Sequence, residues 1–152
     1  WVPVSPDDVW AILAEQSSYA FWVVGSHSID GVTGNWPEPG ATFRHTQGQG
    51  PFKLTDTTTV IEVTPGQRLL LDVRARPFVA GPVEVILERS GDGTCIKMFE
   101  RAERGLARFV PHLFTDPMLS LRNADALRRL AAMAWARAAA RGTVATEPAA
   151  PA

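Results

Sequence analysis

Between residues 26 and 103, β-branched and aromatic side chains alternate with polar ones, and short segments rich in glycine and proline interrupt them. Alternation with a period of two is typical of antiparallel strands that have one apolar and one wet face. It is clearest at residues 69–75 and 83–88, where an apolar side chain occupies every second position. The pattern predicts six consecutive strands, at residues 26–31, 41–47, 52–63, 68–76, 82–89 and 94–103.

Helical patterns flank this predicted sheet. Ser5 is a typical N-cap and Pro6 suits the first helical position, so a helix is predicted to begin there, after a short opening strand. A second short helix is predicted at residues 19–24. The longest helical pattern covers residues 118–141, and Gly142 suits its C-cap.

The long helix is predicted to have an inward stripe and a wet face. The stripe recurs at spacings of three and four, as expected of a helix that packs on a sheet. Its positions are Leu119, Asn123, Leu127, Leu130 and Ala134. Five arginines point mostly in other directions and are predicted to be solvated. They are Arg122, Arg128, Arg129, Arg137 and Arg141.

The order of these elements predicts an α+β fold. A twisted antiparallel sheet of six to seven strands can wrap around one long C-terminal helix and leave a hollow between them. The 152 residues, of which 45% are apolar, suffice for one core. We therefore expect a single domain at residues 1–142. Residues 143–152 contain two prolines and no periodicity, and we expect them to form a mobile tail.

Composition and charge exclude several functional classes. The net charge of −1 offers no field that would attract nucleic acid, and no apolar run is long enough for a membrane span. One cysteine, Cys95, and three widely spaced histidines form no metal-binding motif, so we expect no metal and no cofactor. Because no export signal is evident, we expect a cytoplasmic protein, present as a monomer or a homodimer.

Several segments together carry a family resemblance. They are Val4-Ser5-Pro6-Asp7-Asp8-Val9-Trp10, Trp36-Pro37-Glu38-Pro39-Gly40, Thr64-Pro65-Gly66-Gln67-Arg68, Gly93-Thr94-Cys95-Ile96-Lys97 and Arg122-Asn123-Ala124-Asp125-Ala126. With the element order, they resemble the SRPBCC (START-like, helix-grip) superfamily, which includes polyketide cyclases and dehydratases, lipid-transfer proteins and the birch-pollen allergen class. The resemblance implies a helix-grip fold that holds a hydrophobic small molecule between the sheet and the last helix. Its motifs specify fold better than activity.

Three titratable side chains are candidates for proton transfer in such a cavity. His27 and His45 lie on predicted strands, where an imidazole could orient a carbonyl group or exchange a proton near neutral pH. The alternative for each is a histidine at the sheet edge or in solvent. Glu100 shares a strand face with apolar neighbours, and burial without a cation would raise its pKa. The alternative is a Glu100 that pairs with an arginine.

Aromatic, apolar and amide side chains on the same faces are candidate ligand contacts. Trp22 and Trp36 fall where a cavity mouth is expected, although they could equally fill the core and anchor a loop. Asn123 could offer its amide to a ligand or to a neighbouring protein group. The full set is Trp22, Trp36, Phe43, Leu71, Val73, Val85, Met98, Asn123 and Leu127.

Two functional hypotheses follow, and a third ranks below them. The first is a protein that binds a hydrophobic small molecule, such as a lipid, a polyketide or an aromatic metabolite. The second is a cofactor-independent enzyme of the polyketide cyclase/dehydratase type, in which His27, His45 or Glu100 moves a proton. The third is a regulatory partner protein that uses its cavity as a sensor.

Overall fold

The computed structural model describes residues 1–24, 26–47, 54–75, 79–101 and 112–143, and at some strand and helix ends, including His27 and His45, it describes the backbone alone. Three α-helices lie in this part of the chain: α1 (Pro6–Leu13), α2 (Tyr19–Trp22) and α3 (His112–Ala140). A 3-10 turn at Gln16–Ser18 joins the first two. The predicted second helix is therefore shorter than expected at its C-terminal end.

Six strands form one antiparallel sheet whose order follows the chain. They are β1 (Ser26–Thr33), β2 (Thr42–Gln47), β3 (Leu54–Thr64), β4 (Arg68–Ala75), β5 (Val79–Ser90) and β6 (Gly93–Glu100). The opening strand is reduced to one bridge between Val2 and Thr94. The structure thus confirms the predicted α+β helix-grip architecture, with six strands and a seventh represented by this bridge.

The N-terminal segment is fixed by polar contacts, among which the sequence predicted the N-cap at Ser5. The Ser5 hydroxyl accepts a hydrogen bond from the Asp8 N–H at 3.2 Å, and the Asp8 carboxylate accepts one from the Ser5 N–H at 3.1 Å. This capping box satisfies two donors that a helix start otherwise leaves free. The buried Thr94 hydroxyl donates to the Val4 carbonyl at 2.7 Å and ties the same segment to β6.

The long helix α3 ends where predicted but begins earlier. Gly142 has φ of 72° and donates its N–H to the Ala139 carbonyl at 3.0 Å, which is a typical C-terminal cap. The predicted start at residue 118 is wrong, since the helix begins at His112. Pro117 is the sixth residue of this helix, although proline is favoured in the first turn, where its missing N–H costs no helical hydrogen bond.

The core lies between one face of the sheet and the helices. Leu69 and Leu71 on β4 and Val85 and Leu87 on β5 are buried, which confirms the predicted alternation. From α3, four buried residues spaced by four positions face this layer, as one side of a helix must. They are Ala126, Leu130, Ala134 and Ala138.

Two expectations concern the membrane and the tail. No helix in the described ranges is both long and apolar enough to cross a membrane. The expected mobile tail falls mainly on residues 144–152, which lie outside the described residues. The domain boundary at residue 142 therefore stays a prediction.

The α3 packing gives a test of stability. Leu130 is fully buried, whereas Leu121 on the same helix is 75% exposed. Leu130→Ala should lower the free energy of unfolding by about 3 kcal/mol, because it removes apolar contacts and leaves a cavity. Leu121→Ala, the matched control, should change it by less than about 0.5 kcal/mol. Urea denaturation measures both, and equal effects would contradict the packing described.

Candidate functional site

A cavity lies between the apolar face of the sheet, the α2 region and the middle of α3. Its volume is about 50 Å³, and the unfilled space is about 560 Å³ when the mouth that opens to solvent is included. The strands supply a largely aliphatic wall, and the helices close the opposite side. From the sheet, this wall contains Leu71, Val73, Val83 and Met98, and from the helical side Val23, Val24 and Ala126.

Four aromatic rings form one cluster, and three of them, Tyr19, Trp22 and Phe43, form the aromatic wall of the cavity. Tyr19 lies at the centre, with ring centroids 4.8 Å from Trp22, 5.2 Å from Trp36 and 5.1 Å from Phe43. Trp36 and Phe43 are themselves 4.8 Å apart. Tilted and edge-to-face contacts of this kind are favourable for aromatic pairs. The cluster therefore gives the cavity a rigid side, of which Tyr19, Trp22 and Phe43 are exposed to its interior.

Hydrogen bonds anchor these rings from behind. The Tyr19 hydroxyl and the Trp36 indole N–H both donate to the Leu13 carbonyl, at 3.0 and 2.9 Å. The Trp22 indole donates to the Ser18 hydroxyl at 3.3 Å. Burial raises the pKa of Tyr19 far above its ordinary value, so the phenol stays protonated. The polar atoms of the aromatic wall are thus satisfied within the protein, and ring carbon faces the cavity.

Polar side chains from β3, β6 and α3 also line the cavity, and one of them, Thr58, is the cross-strand partner of Phe43. Arg122 on α3 forms an ion pair with Glu100 on β6, with 3.3 Å between Nη1 and Oε1. The Glu100 side chain is only 7% exposed, and that of Arg122 is 33% exposed. Thr58 and Asn123 also line the cavity and add an uncharged hydroxyl and an amide. These polar side chains can therefore form hydrogen bonds with a polar group of a ligand.

Asp56 on β3 is a second buried carboxyl group; the charge of Arg122 acts on it, but it is not among the described residues that line the cavity. It lies two residues before Thr58 on the same face of the strand, and it is 1% exposed. Among the described residues, none donates a hydrogen bond to either carboxylate oxygen. Burial raises the pKa of Asp56 to about 6, while the positive charge of Arg122 acts in the opposite direction. Asp56 can therefore exchange a proton near neutral pH.

The structure brings seven of the predicted site residues together in the cavity lining. The packing of the helices on the sheet places the side chains of these residues in the lining of the same cavity. They are Trp22, Phe43, Leu71, Val73, Met98, Glu100 and Asn123. Trp36 packs behind the aromatic wall, and Val85 is fully buried in the core. Neither these two nor Leu127 is among the described residues that line the cavity.

The two predicted histidines are placed by their backbone only. His27 lies in β1, and His45 lies in β2 opposite Ile29 and Asp56. Their side chains lie outside the described part of the structure, so their roles in proton transfer stay predictions. For Glu100, the structure shows the alternative that the sequence left open, which is pairing with an arginine.

One prediction about the arginines is wrong. Arg122 lines the cavity instead of the solvated face, because its long stem follows the apolar wall while its guanidinium reaches Glu100. Two others bind carboxylates in the N-terminal region. Arg137 pairs with Glu15 at 2.7 Å, and Arg141 pairs with Asp8 at 2.5 Å.

Sequence reasoning missed Tyr19, Thr58 and Asp56. A signal existed for the last two, since Asp56 and Thr58 share the strand parity of the buried Val60. Polar residues at alternate positions of a strand, however, are typical of a solvent-exposed strand face. No comparable signal marked Tyr19, because its position depends on how α2 packs on the sheet. Such packing is not encoded by local periodicity.

The chemistry available here is that of a hydrophobic site with a small acid–base cluster. In the described ranges, no three histidine, cysteine, aspartate or glutamate side chains are arranged to hold a metal ion. Asp56 could accept or donate a proton, and Arg122 could stabilise a negatively charged oxygen. The arrangement can therefore bind a largely apolar molecule and contact one polar group on it.

Comparison with known proteins gives one family and many similar folds. The family model described as "Polyketide cyclase / dehydrase and lipid transport" matches residues 2–134. No curated protein matches the chain significantly by sequence. Among solved structures, the Zhui aromatase/cyclase from Streptomyces sp. R1128 is 16% identical, with a TM-score of 0.66 and coverage of 94% of each chain.

Two further structures have the same fold. The AHSA1-like protein from Aeromonas hydrophila is 17% identical, with a TM-score of 0.61, and the match covers 97% of this chain and 93% of that one. The two-domain ARO/CYC protein StfQ of the steffimycin biosynthetic pathway is 13% identical, with a TM-score of 0.67. That match covers 91% of this chain and 49% of StfQ. At such identities the likeness establishes the fold alone.

The buried Asp56 predicts a pH-dependent stability. Its pKa is about 6 in the folded protein against an ordinary value of 3.8, so the unfolded chain loses this proton first as pH rises. The free energy of unfolding should therefore fall between about pH 4 and pH 6, by up to about 3 kcal/mol, and this contribution should then level off.

Asp56→Asn removes this titration. Relative to the unmodified protein, the variant should gain up to about 3 kcal/mol in unfolding free energy as pH rises from about 4 to about 7. Asp92→Asn, in the exposed turn between β5 and β6, is the control and should show no such gain. Urea denaturation at both pH values measures the difference. A constant difference for Asp56→Asn would contradict the raised pKa.

Proposed function

This chain belongs to the polyketide cyclase/dehydrase and lipid transport family, and we propose that it binds a hydrophobic small molecule in the cavity between the sheet and α3. Lipids, polyketides and aromatic metabolites are the candidate ligands. The observation that carries the proposal is the composition of the cavity lining, which is mostly apolar and partly aromatic and contains a few polar side chains. Small-molecule sites usually have this form, with a few polar groups that set the orientation of a mostly apolar ligand.

The dimensions of the cavity bear on how a ligand would sit. The volume of about 50 Å³ is smaller than that of a typical ligand pocket, whereas the space of about 560 Å³ that includes the mouth is comparable to one. A ring system would therefore extend into the mouth and displace lining side chains. Met98 is suited to such movement because its unbranched side chain adapts to irregular shapes.

A second candidate function is catalysis of polyketide cyclisation or dehydration. The cluster of Asp56, Glu100 and Arg122 favours it, because a carboxyl group with a pKa of about 6 can exchange protons near neutral pH. Two proteins of similar fold, the aromatase/cyclase Zhui and the ARO/CYC protein StfQ, support the same candidate chemistry. His27 and His45 are further candidates in this reaction.

Binding can be tested by filling the cavity. Ala126 is a buried lining residue, and Ala132 on the same helix is exposed. Ala126→Leu should weaken the binding of the neutral dye N-phenyl-1-naphthylamine at least about tenfold, because the larger side chain occupies the space of the ring. Ala132→Leu should leave affinity unchanged. Fluorescence titration measures both, and an unmodified protein that binds no dye would contradict the proposal.

Catalysis can be tested with a linear poly-β-ketone thioester. In an aldol cyclisation, a base removes a proton from a carbon beside a ketone, that carbon bonds to a second carbonyl carbon, and the resulting alkoxide is protonated. Loss of the hydroxyl group with a neighbouring proton then releases water. Asp56→Asn and Glu100→Gln should each slow this reaction by about 10²-fold if their carboxyl groups transfer these protons.

Mass spectrometry would detect the cyclised product as a compound lighter by one water. Asp92→Asn serves again as the control, since it changes a carboxyl group far from the cavity lining. His27→Gln and His45→Gln complete the series. Turnover that is unchanged in every variant would exclude the cavity residues as proton donors and acceptors.

A further inference from the structure

Resting on the proposed function, we propose that the ligand carries a neutral hydroxyl group, of an alcohol, phenol or enol, that donates a hydrogen bond to Asp56, and that the site discriminates against anionic ligands. The inference narrows the ligand class from any hydrophobic molecule to one with a neutral donor at its inner end. It depends on the charges and the hydrogen-bonding capacity of Asp56, Glu100 and Arg122.

The charge balance is unfavourable for an anion. Two carboxyl groups, those of Asp56 and Glu100, lie near one guanidinium group, that of Arg122. Arg122 is already paired with Glu100, with 3.3 Å between the nearest nitrogen and oxygen. A carboxylate ligand would have to compete for that guanidinium while it is repelled by Asp56, and repulsion between like charges is strong where water is excluded.

The hydrogen-bonding capacity favours a donor. An ionised carboxylate can accept about four hydrogen bonds, and within the described residues neither oxygen of Asp56 accepts any. A buried acceptor without a partner is costly, so a hydroxyl group that reaches it gains more than the same group would gain in water. The unpaired carboxylate therefore selects for an O–H group on the ligand.

The position of Asp56 shows how such a group would reach it. Thr58 lines the cavity, and Asp56 is the next residue on the same face of β3. Asp56 is buried and is not among the described residues that line the cavity, so a ligand hydroxyl group reaches its carboxylate by passing Thr58. An ammonium group would fit this position less well, because a charged group must lose its hydration in this mostly apolar cavity, whereas a hydroxyl group loses far less.

Three naphthalenes of similar size test the inference: 2-naphthol, 2-naphthoate and 2-methylnaphthalene. Each is used to displace N-phenyl-1-naphthylamine from the full chain at about pH 7.5, where Asp56 is ionised. We expect 2-naphthol to bind at least about tenfold more tightly than 2-naphthoate. Asp56→Asn should reduce this ratio at least about tenfold, whereas Asp92→Asn should preserve it.

A measurement on the unmodified protein makes the test independent of the variant's folding. Two described groups or positions bear on Asp56 directly: the charge of Arg122 from α3 and, by register, the position of His45 on β2. Glu100 on β6 pairs with the same arginine. The naphthol-to-naphthoate ratio should fall severalfold between about pH 7.5 and about pH 5, as Asp56 gains its proton and its repulsion of the anion disappears. In Asp56→Asn the ratio should stay constant with pH. This result would show that the pH dependence arises from Asp56 and not from the titration of Glu100 or His45.

The outcomes distinguish this inference from the function on which it rests. If neither the dye nor 2-methylnaphthalene binds, the proposed ligand-binding function is wrong. If all three naphthalenes bind with equal affinity, or if the ratio is unchanged by pH in the unmodified protein, the cavity binds hydrophobic molecules but the selection for a hydroxyl group is overturned.

Discussion

The packing of α3 against the sheet is the interaction on which the rest of this structure depends. In its C-terminal half, Leu130, Ala134 and Ala138 are fully buried, and the small alanines allow close approach to the core. Towards the N-terminus this close contact gives way, and from Ala126 to Arg122 the helix faces the cavity. The C-terminal half of α3 thus packs on the core, whereas its residues 122–126 leave the cavity open. Large side chains along the whole helix would fill that cavity.

The cavity contains both an apolar aromatic wall and a cluster of charged side chains. The aromatic wall satisfies its own polar atoms through Ser18 and the Leu13 carbonyl, so it offers an apolar surface. The charged groups form a separate cluster, in which Arg122 pairs with Glu100 and acts on the charge of Asp56. Burial of Asp56 without a hydrogen-bond partner in the described structure lowers stability, and such costs are typical of functional sites.

The sequence predicted those features that depend on local rules. The Ser5 cap, the Gly142 cap and the strand alternation that directs Leu71 inward each follow from a few neighbouring residues. The cluster of Asp56, Glu100 and Arg122 depends instead on residues that are far apart in the sequence. Arg122 looked solvated because charge on a helix usually is, and only the gap between helix and sheet turns it inward. That gap is a property of packing, which periodicity does not describe.

The two proposed functions make different demands on Asp56. A binding protein needs the carboxyl group only as a hydrogen-bond acceptor, in one protonation state. An enzyme needs it to gain and lose a proton in each cycle, which is fastest when its pKa is close to the surrounding pH. Burial raises the pKa to about 6, and the charge of Arg122 limits this rise. Both demands can therefore be met by one residue, so the reactivity of the bound ligand, and not the geometry of the cavity, separates a carrier from a cyclase in this fold.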